Sequence, residues 1–217
     1  MKSAVILHAS RAAVDCVAEY YAAQAPEFEF THLLDDGVMR TLKARDWPRA
    51  GKRLLAMAED ARREYGASQA VLTCSAYPTK ELAELKAASP IPMFKIDEPM
   101  ARAAVHASPR IGILSTFPAT KDTARDLLQD AARSEGREVE LVELLDAEAL
   151  QALLQGDRET HDTRFFDACR NLASQKIGVL VLAQVSMARL RDEAARITGV
   201  PVFESLSTSL AALRQDS

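Results

Sequence analysis

Two stretches of the chain follow one pattern: VLTCSAYPTKELAELKAASPIPMFKIDEPMARAAV (residues 71–105) and VLVLAQVSMARLRDEAARITGVPVFESLSTSLAAL (residues 179–213). Each has an apolar strand, a polar loop, a helix, a short strand introduced by proline, and a final helix. The segments AVILHAS (residues 4–10) and IGILSTFPAT (residues 111–120) open the two halves in the same way. This internal repeat predicts two similar α/β lobes.

Short apolar runs alternate with segments of helical period along the rest of the chain. Strands are predicted at 5–7, 28–34, 70–73, 92–96, 111–114, 138–145, 178–182 and 201–203. Helices are predicted at about 14–21, 48–66, 79–85, 100–106, 120–136, 147–154, 163–175, 187–197 and 206–213, with Thr120 as a cap. This alternation is typical of an α/β fold with parallel sheets.

The lobe boundaries follow from the repeat. By analogy with the first half, the last helix should cross back towards the first lobe. We therefore expect a first lobe at residues 1–100 together with 205–217, and a second lobe at residues 101–204.

Composition limits the classes of function. The 217 residues are 48% hydrophobic and 27% charged, which is ordinary for a globular protein. The net charge is −4 and no basic run occurs, which argues against a nucleic-acid partner. No apolar stretch has the length that a bilayer requires, and MKSAVILHAS has too short an apolar core for a signal peptide. We expect a cytoplasmic protein with no membrane partner.

The cysteines and histidines do not form a metal-binding pattern. Cys16, Cys74 and Cys169 are odd in number and widely spaced, and the four histidines are scattered. Neither a disulfide framework nor a zinc site has this spacing. The first strand also leads into HASRAAV (residues 8–14), which lacks the glycine of a phosphate-binding loop and so disfavours a flavodoxin-like protein. No metal and no cofactor are expected.

Small polar residues follow four of the predicted strands. In open α/β sheets, ligands bind beyond the carboxyl ends of the strands, and two facing lobes would bring these loops to one cleft. Hydroxyls, an amide and backbone N–H groups suit a small carboxylate better than a nucleotide. The candidate residues are His8, Ser10, Thr73, Cys74, Ser75, Ser115, Thr116, Thr120, Gln184 and Ser186.

Cys74 is the one potential nucleophile or base among these candidates. A position at a helix N-terminus should lower the pKa of its thiol. The alternative is a buried structural cysteine, which is the preferred interpretation for Cys16 and Cys169. His8 either binds substrate or makes local hydrogen bonds, and Gln184, which interrupts an apolar run, needs partners if it is buried.

The hydroxyl residues of the second half have two possible roles. Ser115, Thr116 and Thr120 could cap helices and form turns, as such residues commonly do after strands. They could instead bind the ligand through their hydroxyl groups. Both roles remain open from the residues alone.

Three loops together resemble the aspartate/glutamate racemase superfamily, which includes maleate isomerase and arylmalonate decarboxylase. VLTCSAYP (residues 71–78) is similar to its first cysteine loop, and IGILSTFPAT (residues 111–120) to the loop that opens its second lobe. GVLVLAQVSMA (residues 178–188) is similar to its second cysteine loop. The resemblance covers nearly the whole chain.

The resemblance implies two pseudo-symmetric lobes with the active site in the cleft between them, and a possible homodimer. It also implies cofactor-independent chemistry at the carbon next to a carboxylate. In two-base members, one cysteine removes the α-proton and the other returns a proton on the opposite face. Cys74 matches the first cysteine, whereas the second is absent and its equivalent lies within Ala183–Val185, with Gln184 preferred.

Several functions are compatible with a single cysteine. As an enzyme, the chain would use Cys74 as acid, base or nucleophile in racemisation, isomerisation or decarboxylation, with water or His8 as a second partner. Ser10, Ser75, Thr116, Thr120 and backbone N–H groups would hold the carboxylate. The alternative is a non-catalytic protein that binds or senses a small carboxylate.

Overall fold

The computed structural model describes residues 2–215 and contains two parallel four-stranded sheets. The first sheet has the order β2-β1-β3-β4, with β1 Lys2–His8, β2 Phe28–Leu34, β3 Gln69–Leu72 and β4 Met93–Lys95. The second sheet has the order β6-β5-β7-β8, with β5 Arg110–Ser115, β6 Glu140–Leu145, β7 Val179–Leu182 and β8 Val202–Phe203. The predicted α/β fold with parallel sheets is confirmed.

Helices connect and flank the strands. They are α1 Val14–Gln24, α2 Asp36–Lys43, α3 Trp47–Tyr65, α4 Thr79–Ala88, α5 Glu98–Ala107, α6 Pro118–Ser134, α7 Ala147–Leu154, α8 Arg158–Ser174, α9 Arg191–Thr198 and α10 Ser205–Gln215. Two 3₁₀ helices, Arg11–Ala13 and Val185–Leu190, precede α1 and α9. Among residues 2–215, none of the helices has both the length and the apolar character needed to cross a membrane.

The chain divides into two compact units. The first unit comprises the described residues up to Ile96 and from Ser209 onward, and the second unit is Asp97–Thr208. Each unit contains one sheet and its own apolar core, built on buried strand residues such as Leu7 and Leu72 in the first and Ile113 and Val181 in the second. Burial of apolar surface on both faces explains why these central strands are continuous apolar runs.

Local signals in the sequence account for both ends of α3. The side chain of Asp46 accepts a hydrogen bond from the Arg49 N–H at the start of α3, and Gly66 ends this helix with φ 64°. Glycine adopts this left-handed conformation at little cost. The predicted extent of α3, from Pro48 to Gly66, is therefore confirmed to within one residue.

Two other helix starts differ from the prediction. The sequence Asp35-Asp36-Gly37 suggests only a break after β2, but the Asp35 side chain accepts the Gly37 N–H and begins α2. Thr120 was expected to cap α6, yet α6 begins at Pro118 after Phe117, and Thr120 lies inside the first turn. Proline is favoured at the first helical position because its missing N–H would be unpaired there.

Candidate functional site

The loops after the central strands β3 and β7 occupy equivalent positions in the two sheets. The last register pairs between central strands are Leu7–Leu72 and Leu114–Leu182. The next backbone N–H then donates across the sheet in both units, from Thr73 to Leu7 and from Ala183 to Leu114, each at 3.0 Å. The residue after that is Cys74 in the first unit and Gln184 in the second. Gln184 is therefore the register equivalent of Cys74.

Cys74 lies in a turn rather than in a helix. Its carbonyl accepts a hydrogen bond from the Tyr77 N–H at 3.1 Å, and α4 begins only at Thr79. The expectation that Cys74 lies at a helix N-terminus is wrong, because this turn intervenes. The side chain of Cys74 is 5% exposed and belongs to the apolar core that contains Leu72 and Tyr77.

A buried lysine supports the Cys74 turn. Lys95, at the end of β4, is 0% exposed. Its Nζ donates hydrogen bonds to the carbonyl oxygens of Ser75 at 3.4 Å and Tyr77 at 3.3 Å. Lysine is almost never fully buried without such partners. A lysine inside the short apolar strand PMFKI (residues 92–96) is the signal in the sequence that could have identified this contact.

His8 is held by two protein partners. Its ring is 0% exposed, its Nδ1 lies 3.1 Å from Thr73 Oγ1, and its Nε2 lies 3.0 Å from His32 Nδ1. Burial, and then the neighbouring His32, lower the pKa of His8 to about 4. A neutral imidazole donates through one nitrogen and accepts at the other, so His32, His8 and Thr73 form one hydrogen-bonded chain. This is the local hydrogen-bonding role that the sequence left open for His8.

Gln184 is fixed by its side-chain oxygen. Its Oε1 accepts hydrogen bonds from the Thr116 N–H at 2.7 Å and from Thr116 Oγ1 at 3.0 Å. Ser115 Oγ lies 3.4 Å from the same oxygen and donates to Phe117 O at 2.9 Å. Because a backbone N–H can only donate, the oxygen of Gln184 must face Thr116 and its NH₂ group must point the other way.

The amide NH₂ of Gln184 is available to a ligand. Gln184 is half-buried, and within the part of the chain that the structure describes, its Nε2 has no hydrogen-bond partner. An amide nitrogen fixed in this way can donate to a carboxylate but cannot exchange a proton at neutral pH. Ser115, the last residue of β5, and Thr116, which follows it, are both buried and hold the amide oxygen in place.

The structure groups some of the predicted site residues and leaves others apart. Ser10 and Ser75 are half-buried in the loops after β1 and β3, Thr120 is half-buried in α6, and Ser186 is exposed in the 3₁₀ helix before α9. Hydrogen bonds join His8 to Thr73 in the first unit, and Thr116 to Gln184 in the second. That both groups bind one substrate stays a prediction.

The other cysteines lie in apolar or helical surroundings. Cys169 is completely buried in α8, and burial raises the pKa of its thiol to about 12. Burial also raises the pKa of Cys16, whose Sγ donates to the Ala13 carbonyl at 3.4 Å. Both thiols are therefore protonated at neutral pH. Among residues 2–215, no group of three or more His, Cys, Asp or Glu side chains could hold a metal ion.

Solved structures share this fold over almost the entire chain. An allantoin racemase from Klebsiella pneumoniae is 20% identical with a TM-score of 0.74, covering 99% of this chain and 87% of that one. An aspartate racemase homologue from Pyrococcus horikoshii OT3 is 16% identical with a TM-score of 0.72, covering 99% and 98%. Glutamate racemase RacE1 from Bacillus anthracis is 16% identical with a TM-score of 0.69, covering 99% and 81%.

The sequence also matches a family model. No curated protein sequence matches the chain significantly. The model described as Asp/Glu/Hydantoin racemase matches residues 6–213, which include both central strands and the loops that carry Cys74 and Gln184. The chain therefore belongs to the Asp/Glu/Hydantoin racemase family.

Proposed function

We propose that the chain is a cofactor-independent isomerase that acts at the carbon next to the carboxylate of a small acid, with Cys74 as its one catalytic thiol. The observation that carries this proposal is the position of Cys74, the second residue after the central strand β3 of a racemase-family sheet. Ligands in open α/β folds bind at such carboxyl ends.

The proposed reaction begins with proton transfer to Cys74. Its thiolate removes the α-proton, and the electron pair of the C–H bond moves into the carboxylate to give an enediolate. The NH₂ group of Gln184 donates a hydrogen bond to a carboxylate oxygen, where negative charge develops. The hydroxyl groups of Ser10 and Ser75 are further donors, and Lys95 holds the turn that carries Cys74.

The return of the proton distinguishes this chain from a two-thiol racemase. Gln184 stands at the register position of Cys74 and cannot supply a proton. For inversion, the proton must therefore come from water on the opposite face, because return from Cys74 to the same face regenerates the starting acid. A single thiol on one face favours reactions that need only one proton transfer to carbon.

Decarboxylation is a second candidate, favoured by the glutamine at position 184. When a substituted malonate loses CO₂, the electron pair of the broken C–C bond moves into the remaining carboxylate. The Cys74 thiol then gives its proton to the α-carbon, and the resulting thiolate takes a new proton from water. No second acid or base is required.

Proton exchange in D₂O tests the class of reaction. The panel would contain aspartate, glutamate, allantoin and other hydantoins, maleate and substituted malonates, followed by ¹H NMR for α-deuteration, isomerisation or loss of CO₂. We expect turnover of at least one acid, and a loss of at least about 100-fold in rate in Cys74→Ser. Cys16→Ser is the matched control, because the Cys16 thiol lies in α1 and donates to the Ala13 carbonyl three residues earlier in the chain.

The same experiment separates catalysis from binding alone. If no acid reacts, or if Cys74→Ser reacts at the rate of the unmodified protein, the proposed isomerase is wrong. If acids nevertheless raise the melting temperature, the chain is a carboxylate-binding protein on a racemase fold. The nearly complete burial of Cys74 and the presence of Gln184 are the two observations that favour this alternative.

A further inference from the structure

A cavity of about 360 Å³ lies between α2 and the start of α3 in the first unit. Three arginines line it, Arg40 from α2 and Arg49 and Arg53 from α3, together with Asp35 and Asp46. We propose that this cavity binds a phosphate group, either as the free ion or as a small phosphomonoester. The proposal does not rest on the proposed isomerase activity.

The two carboxylates of the cavity are already engaged with the protein. Asp35 accepts the Gly37 N–H at 2.9 Å and pairs with Arg53 Nε at 2.8 Å, and this Arg53 hydrogen bond is the main reason that the pKa of Asp35 is lowered. Asp46 accepts the Arg49 N–H at 3.2 Å and caps α3. Both acids therefore serve to shape the cavity.

Two of the three guanidinium groups remain available. Among residues 2–215, the side chains of Arg40 and Arg49 form no ion pair within 4.0 Å, and no hydrogen bond of these side chains is found. With Arg53 partly neutralised by Asp35, the cavity keeps an excess of positive charge. A guanidinium fork matches the oxygen spacing of a phosphate and can bind it through two parallel hydrogen bonds.

The charge of the surrounding segment distinguishes it from the rest of the chain. Residues 35–53 contain six basic and three acidic side chains and carry a net charge of +3, whereas the remainder of the chain carries −7. The basic residues are spaced along the sequence and form no continuous run, and only the packing of α2 on α3 brings three of them to one cavity. A local excess of positive charge on an acidic protein concentrates anions at that point.

The size of the cavity limits the ligand. About 360 Å³ is at the lower end of the range for small-molecule sites, so a phosphate with a short organic group fits, whereas a dinucleotide does not. The cavity also begins one residue after β2, where the Asp35 N–H donates to the His8 carbonyl at 3.0 Å. Occupancy should therefore stabilise the carboxyl end of the first sheet.

Direct binding measurements test this inference. Inorganic phosphate, ethyl phosphate and succinate would each be titrated into the full chain by calorimetry at constant ionic strength, which fixes the screening of surface charge. We expect phosphate or ethyl phosphate to bind with a Kd of about 1 mM or tighter and to raise the melting temperature. The tighter of the two identifies the source as free phosphate or a phosphomonoester.

Variants locate the bound ion. Arg40→Gln and Arg49→Gln should each weaken binding about 10-fold, since each removes a charge-assisted pair. Arg102→Gln is the matched control, because Arg102 is an exposed arginine of α5 in the second unit. Its substitution changes the net charge by the same amount as each cavity variant. Melting curves without phosphate verify that every variant folds. Absence of binding up to about 10 mM, equal affinity for succinate, or unchanged affinity in both cavity variants would overturn the proposal.

Discussion

The side-chain oxygen of Gln184 accepts the backbone N–H of Thr116 at 2.7 Å. This bond crosses from the loop after β7 to the loop after β5 and determines which end of the amide is free. Gln184 cannot replace a catalytic thiol, but this hydrogen bond fixes its amide so that the NH₂ group is an oriented hydrogen-bond donor. In the proposed reaction, Gln184 therefore binds the substrate carboxylate and exchanges no proton.

Substitution of Gln184 should affect substrate binding more than the chemical step. Gln184→Glu keeps an acceptor for Thr116 but replaces the NH₂ donor with a negative charge, so KM for a carboxylate substrate should rise by about 10- to 100-fold. Steady-state kinetics on the acid identified by proton exchange would measure this change. Gln184→Ala is the comparison, since it removes both groups without adding charge. A KM for the Glu variant equal to that of the unmodified chain would contradict the donor role.

Protonation of His8 should destabilise the protein in mild acid. The pKa of His8 is about 4 in the folded state, whereas the ordinary value for histidine is 6.5. Between these two pH values, the unfolded state therefore binds more protons than the folded state. The stabilisation is fully present above pH 6.5 and is lost as the pH falls towards 4, by about 2–3 kcal/mol. Urea unfolding at pH 7.5, 6, 5 and 4.5 would measure it.

The variant His8→Gln separates this effect from the protonation of carboxylates elsewhere. Glutamine can still hydrogen-bond Thr73 but does not titrate, so the variant should lose less stability than the unmodified chain over the same pH range. Equal pH dependence for both proteins would show that His8 is not the group responsible.

Replacement of Lys95 should loosen the Cys74 turn with little change in global stability. Lys95→Met leaves the carbonyl groups of Ser75 and Tyr77 without this donor, while it also removes the cost of burying an ammonium group. We expect faster hydrogen exchange at the Tyr77 amide, a catalytic rate lower by about 10-fold, and a free energy of unfolding within about 2 kcal/mol of the original. The exposed Lys80→Met is the control. Unchanged exchange at Tyr77 would refute the supporting role.

A side chain at Gly178 should strain the entry to β7. An added Cβ would collide with Ser108 Oγ and lie 2.9 Å from Ser108 Cβ. Ser108 Oγ accepts the Arg110 N–H at 3.1 Å, so it cannot rotate away without losing this bond. Gly178→Ala should therefore lower the free energy of unfolding by about 1–3 kcal/mol in urea titrations. Combination with Ser108→Gly should recover part of the loss, and a Gly178→Ala protein of unchanged stability would contradict this packing.

Much of the architecture could be predicted from local patterns. Apolar runs such as 178–182 and 70–73 indicated buried parallel strands, and Pro48 with Gly66 bounded α3 to within one residue. The errors occurred where two local signals competed. The start of α6 is determined by Pro118 in its first turn and not by the hydroxyl group of Thr120. Asp35 was interpreted as part of a break after β2, but its side chain caps α2.

The sequence by itself determined the doubled α/β pattern, the strand-end position of Cys74 and the absence of a second cysteine in the matching loop. Only the tertiary structure decided that Gln184 is the equivalent of Cys74, that Lys95 lies beneath the Cys74 turn, and that His8 bonds to residues 24 and 65 positions away. It also gathered dispersed arginines into one cavity. The physical reason is that local patterns reflect backbone preference and burial, whereas these contacts depend on strand register and on packing between distant segments.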